Sequence, residues 1–302
     1  MQRYLDPTND VGFKKVFGDP IRMMDFLNNI LRLSAGKRIQ KVEFVPTEQI
    51  PDLGQGKRSL FDLKCQDESG TYFLIEMQCR RSPIFLKRMQ YYGAHAYTSQ
   101  IQAGKKHADL LPVVVVAVLK ESILPSNIEA ISYHRTLEEK TGQHHLRELS
   151  YVFVELEKFH KTEKELLNFE DEWLFFLRDA HTRSHPPLLK DLCVSQAFEA
   201  MERANWTPEE YDAYVRARLL LETEELSAKE QFDLGMVEGE AIGLEKGKPI
   251  WTELANLQTA RNLLILKVDK PTISKATGFS LEKIEQLEES GSSDSSSKTQ
   301  TD

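Results

Sequence analysis

Residues 59–78, SLFDLKCQDESGTYFLIEMQ, set two largely apolar stretches around a short polar one. The pattern predicts two strands, 59–65 and 71–78, around a polar turn. Each strand carries an acid: Asp62 lies between Phe61 and Leu63, and Glu76 precedes Met77 and Gln78. Side chains alternate across a strand, so Glu76 and Gln78 share a face. The turn decides whether Asp62 joins them. Asp67-Glu68-Ser69-Gly70 suits a type I turn closed by a left-handed glycine, a three-residue loop. That closure pairs Asp67 with Thr71 and sets Asp62 opposite Glu76. A two-residue loop would oppose Asp62 to Ile75 and send the acids to different faces.

Upstream, residues 9–33 predict a helix. Val11, Val16, Met23, Met24, Leu27, Ile30 and Leu31 recur near the 3.6 period, and Phe13, Phe17 and Phe26 widen the face. Asp19-Pro20 is a potential break, and Asn9 or Asp10 can cap the start. Residues 39–47 alternate as a strand ending at Pro46, and 51–57 read as a loop. Downstream, 84–103 predict a helix with Phe85, Met89, Tyr92 and Ala96 on one side. Lys87 and Arg88 read as solvated cations, with contact to a phosphate as the alternative. The run at 111–119, LPVVVVAVL, is apolar on both faces and belongs in the middle of a covered sheet. Residues 149–156 predict a further strand. His134, His144, His145 and His160 fall in or near polar stretches without ligand spacing and read as surface residues. Helix, strand, hairpin, helix and buried strand make a mixed α/β layer rather than a bundle or barrel.

From residue 162 the pattern is helical. Residues 165–178, ELLNFEDEWLFFLR, are amphipathic, and Thr207-Pro208-Glu209-Glu210 is a strong helix start. Gly235, Gly239, Gly243 and Gly247 recur every four residues, and each weakens a helix by about 1 kcal/mol. This stretch therefore reads as a flexible connector or an oligomer contact. Residues 251–289 predict three short helices of helix-turn-helix type. The last of them sets Glu282, Glu285, Glu288 and Glu289 against Lys283 alone, a poor match to a phosphate backbone, so packing or dimerisation is its expected role. The end is low-complexity and reads as disordered. The expected divisions are 1–160, an α/β domain; 161–234, a helical lobe; 235–250, a connector; 251–289, a small helical unit; and 290–302, a tail.

Composition narrows the picture in three places. The 302-residue chain has a hydrophobic fraction of 40%, enough for a real core, and no apolar run long enough to span a membrane. Its start lacks the apolar run of a signal peptide, and its three scattered cysteines fit a reducing cytoplasm with neither disulfides nor a zinc site. Charge is uneven: residues 1–106 hold 17 Lys and Arg against 11 Asp and Glu, whereas the remainder holds 22 against 36. A basic half carrying the acid pair is compatible with the approach of a phosphate backbone.

Two carboxylates beside an apolar core must be paired with cations, protonated or bound to a metal. A hard divalent ion such as Mg2+ relieves their repulsion and keeps waters that can attack a phosphodiester. The plainer reading is a half-exposed hairpin whose acids face solvent. Here a resemblance bears on the choice. The element order, with an acid on the second strand and E-x-Q on the third, resembles the PD-(D/E)XK nuclease core. The segments NDVGFKKVFG, FDLKC, IEMQ and LKRMQYYGAHAY are similar to the Rpn family, the recombination-promoting nucleases and transposases of bacteria and mobile elements.

The resemblance implies an α/β fold: a restriction-endonuclease-like core, with a mixed sheet flanked by helices and a mostly helical C-terminal lobe. It implies a Mg2+- or Mn2+-dependent DNA endonuclease, with DNA as partner and a homo-oligomer as a further possibility. Asp62 and Glu76 match the metal-binding acids, and Asp10 matches the acid of the first helix. The backbone carbonyl of Met77 would complete the ion's ligands, and Gln78 would orient the attacking water. Gln78 stands where the wider superfamily usually has lysine, although glutamine is usual in the Rpn-like group. Lys14 or Lys15 could supply the missing charge. The competing function is a catalytically weak relative that binds DNA or a protein through the same domain.

Overall fold

Asn9 opens the first helix, α1 (Asp10–Phe17), by accepting a hydrogen bond from the Val11 amide. Asp19 opens the second, α2 (Pro20–Ile30), in the same way. Proline at a first helical position gives up a donor that has no helical acceptor. The Asp19-Pro20 step thus ends one helix and starts the next, dividing the expected 9–33 helix. The computed structural model describes residues 3–46, 48–49, 59–101 and 106–293. The loop expected over 51–57 and the tail beyond residue 293 lie outside these residues. Two compact units are present, 1–221 and 222–302.

The first unit continues with β1 (Val42–Phe44), β2 (Glu48–Gln49), β3 (Ser59–Leu60), β4 (Leu63–Asp67) and β5 (Tyr72–Gln78). Strand β1 is shorter than the 39–47 expected, because the buried Asn28 amide grips the Ile39 N–H and C=O at 2.8 and 3.0 Å. Then come α3 (Phe85–Thr98), β6 (Val113–Leu119), β7 (Ile131–Arg135), β8 (Leu149–Glu155), α4 (Phe169–Asp179) and α5 (Leu192–Met201). Six strands form one sheet in the order β1-β4-β5-β6-β8-β7, and β2 and β3 pair separately. The β5–β6 and β6–β8 pairs are parallel and the other pairs antiparallel. The Val-rich β6 is therefore flanked on both edges, as its two-sided apolar character requires. Strand β7 escaped the sequence reading. It places His134 on a sheet edge, its ring 5.1 Å from that of Phe153, and not in a surface loop.

Each sheet face has its own core. On one face, Phe73, Ile75, Val116, Val118, Val152 and Val154 pack with side chains of α1, α2, α4 and α5, including Phe13, Phe17, Phe26 and Trp173. On the other, Leu74, Val115, Ala117 and Phe153 meet Phe85, Met89 and Ala96 of α3. Burying a side chain of this size contributes roughly 1.5–3 kcal/mol, so the opposed faces fix which side of β5 meets α3. At Gly93 the helix comes so near the sheet that an added Cβ would lie 3.1 Å from Val115 and the Tyr151 hydroxyl.

Helix α6 (Pro208–Ile265) starts at a reciprocal cap, with Thr207 and Glu210 exchanging two hydrogen bonds. It runs through all four spaced glycines and Pro249, so the 235–250 stretch is helical. The second unit contains its C-terminal part, α7 (Lys270–Thr277) and α8 (Leu281–Ser293). These close around Ala260, Ile273 and Ile284. No helix among the described residues is long and apolar enough to cross a membrane.

Candidate active site

The hairpin closes as the Gly70 reading requires. Gly70 adopts φ +89°, and its amide bonds the Asp67 carbonyl at 3.0 Å. Asp67 N–H bonds the Thr71 carbonyl, and Leu63 pairs with Ile75. The same register sets Asp62 opposite Glu76. One expectation fails: the first strand is not continuous over 59–65. Ladder hydrogen bonding would next join Phe61 to Met77, since hydrogen-bonded pairs alternate along antiparallel strands. Instead the chain turns away at Phe61 to pair in the small second sheet. The Asp62 carboxylate takes the Met77 N–H, at 2.6 Å.

That break builds the site. Lys120 N–H bonds the Gln78 carbonyl on the β6 side. Successive strand carbonyls alternate in direction, so that of Met77 points to the edge vacated by Phe61, beside Asp62. Helix α1 is fixed at the same end of the sheet by two contacts. Cys79 Sγ donates to the Thr8 carbonyl at 3.2 Å, and Lys120 pairs with Asp6 at 2.9 Å. Asp10 then lies near enough to Asp62 to hydrogen-bond and repel it, while pairing with Lys14 at 2.7 Å. Asp10 itself is exposed, and Asn9 does the capping.

Glu76 is 8% exposed and faces α3. Its Oε1 accepts from Arg88 at 3.1 Å; its Oε2 is buried with no partner. Arg88 also donates to Gln78 Oε1, and its own buried Nε is unpartnered. The Gln78 amide nitrogen donates to the Arg80 carbonyl at 2.9 Å. Both ends of Gln78 are thus engaged within the chain. In this arrangement its side-chain oxygen meets Arg88. Arg88, read from sequence as a solvated cation with phosphate contact as the alternative, is brought beside Glu76 by α3. Only its spacing from Phe85 and Met89 placed it near the sheet.

Electrostatics set these acids apart from surface carboxylates. Burial pushes Glu76 up to about 8, helped by the Asp62 charge and opposed by Arg88. Burial likewise raises Asp62 to about 6, the Met77 amide opposing and Asp10 adding to the rise. Lys14 faces both acids and favours their ionised forms. A mixed six-stranded sheet flanked by helices is a PD-(D/E)XK-like α/β fold. The model of the PD-(D/E)XK nuclease family transposases matches residues 7–226, and the chain belongs to that family. No curated protein and no solved structure matches the chain significantly.

Proposed function

We propose that the chain is a metal-dependent DNA endonuclease serving recombination or mobile elements, with Asp62, Glu76 and the Met77 carbonyl as its metal ligands. The observation that carries this reading is Glu76 Oε2, buried without a donor and facing a second acid. An orphaned carboxylate oxygen costs free energy unless a cation or proton meets it. The donors are all oxygens, which fits Mg2+ or Mn2+. When bound, such an ion would supply a water acidic enough to act as nucleophile and offset charge on the phosphodiester.

The chain's own residues have separable tasks. Asp62 is oriented by the Met77 amide, which fixes one oxygen and leaves the other for a ligand. Asp10 stands one layer further out, suited to holding a water or a second ligand position. Arg88, positioned by Gln78, provides the cation that the wider superfamily's usual lysine would supply, and a guanidinium matches a phosphate oxygen well. The alternative, a nuclease-fold binding module, draws support from the same Arg88, which already neutralises Glu76 in the fold described.

The decisive experiment is a plasmid-nicking assay with Mg2+, Mn2+ and chelator. Wild-type protein should nick with either ion, and Asp62→Ala and Glu76→Gln should abolish nicking while circular dichroism stays unchanged. Undiminished cleavage by Asp62→Ala would rule the site out. DNA binding without any metal-dependent cleavage would favour the binding module.

A further inference from the structure

Away from the Asp62–Glu76 site, a second group of ligating side chains meets among the helices of the first unit. Asp25 comes from α2, Asp191 caps the start of α5, and Cys193 lies in the first turn of α5. One oxygen of each carboxylate and the cysteine sulfur lie within 4.8 Å of one another. We propose that Asp25, Asp191 and Cys193 form a second divalent-cation site, selective for a thiolate-tolerant ion such as Zn2+ or Co2+.

The Asp191 carboxylate divides into a held oxygen and a spare one, whereas Asp25 has donors on one oxygen and a cation beside the other. Asp25 Oδ2 accepts from the Trp173 indole at 2.8 Å and from the Asn29 amide at 2.9 Å, while Arg38 stands 3.9 Å from Oδ1. Asp191 Oδ1 accepts from the Cys193 and Val194 amides at 2.7 and 3.4 Å. Asp191 is 5% exposed, and its Oδ2 is buried with no donor. The Asp191 carboxyl is within hydrogen-bonding reach of Asp25, so the orphaned group confronts a second acid. Second-sphere donors that lock one ligand oxygen and leave the other bare are how proteins prepare carboxylates for metals. Two carboxylates and a thiolate, with a position left for water, form a three-ligand set that suits Zn2+. Mg2+, which prefers oxygen donors, is the poorer fit.

The cluster is built from residues other than those of the Asp62–Glu76 site. The charges facing Cys193 are Asp25, Asp191, Asp19 and Arg22, whereas those facing Glu76 are Asp62, Arg88 and Lys14. Arg22 is committed to the Val16 and Lys15 carbonyls at 2.7 and 3.1 Å, so the cation paired with the acids is Arg38, 3.9 Å from Asp25 Oδ1.

The test is a Co2+ titration of the full chain near neutral pH, read by near-ultraviolet thiolate-to-cobalt charge transfer and by equilibrium dialysis. The wild-type protein should give a saturable band that added Zn2+ bleaches. Cys193→Ser should abolish the band, Asp191→Asn should weaken binding while keeping the helix cap, and Cys79→Ser should leave the band in place. A folded wild-type protein with no band, or a band that survives Cys193→Ser, overturns the site. Absence of a band together with a higher Tm for Asp191→Asn would identify a carboxyl pair sharing a proton instead. Because Asp62 and Glu76 contribute no thiolate, the result stands whether or not the chain cleaves DNA.

Discussion

At Arg88 one guanidinium serves Glu76 and Gln78 while its Nε has no acceptor, so it is held close to the acids with bonding capacity to spare. Arg88→Ala should lower metal-dependent nicking on the order of 10²-fold, the usual loss for one donor aimed at developing charge. Gln78→Lys placed in that variant should recover part of the rate, because it returns a cation to the strand. Unchanged nicking by Arg88→Ala would remove it from the chemistry. The two acids give a pH test. Asp62 and Glu76 hold their protons more tightly in the folded chain, up to about 6 and about 8. Their neutral forms favour folding below the ordinary carboxylate range, and this contribution is lost as pH rises through those values. The Tm of chelator-treated protein should therefore fall from pH ~5 to ~8, and Glu76→Gln should flatten the upper part of the decline. A Tm that climbs through this window would contradict the buried acids. The acid pair was legible in the sequence because a turn residue fixed its register. Arg88 was not, since its role depends on how α3 sits over β5. Nor was the cluster at Cys193, whose members are far apart in the chain and meet only through helix packing.

The hairpin element depends on Gly70. Its φ of +89° is a left-handed conformation, and an added Cβ would lie 2.9 Å from Leu111 Cδ1. Gly70→Ala should destabilise the protein by about 1–2 kcal/mol, the cost of forcing an L-residue into that region, measured by the shift of a urea transition. An unchanged midpoint would mean that the turn does not set the register. Most other elements were visible from periodicity, and the exceptions have local causes. The expected 59–65 strand is broken because a side-chain carboxylate replaces the next ladder acceptor at Met77. Strand β7, ISYHR, carries mixed residues on an edge whose pattern is set by its neighbour β8. The glycine-spaced stretch continues α6 because its neighbours are rich in Glu, Lys, Leu and Ala. A helix already nucleated extends through isolated glycines at modest cost.

Across the whole molecule, charge separates the two units. Residues 1–221 hold 30 Lys and Arg against 31 Asp and Glu, and residues 222–302 hold 9 against 16. The second unit thus carries most of the net charge of -8. Its α8 spends its one lysine on Glu253, at 2.7 Å, and its acids Glu285 and Glu288 on Lys270. Such a unit is poorly suited to a phosphate backbone, whose binding strengthens through released counterions. The acids, Arg88 and Lys14 all belong to the first unit, which has a core of its own on each sheet face. DNA affinity should consequently reside in residues 1–221, weaken linearly in log–log form as salt rises, and survive removal of residues 222–302. Because that deletion removes acidic surface, low-salt affinity should hold or increase, with the salt slope unchanged, in a fluorescence-anisotropy titration. A large loss of affinity in the folded shorter chain would assign the DNA contacts, or a dimer needed for them, to the second unit.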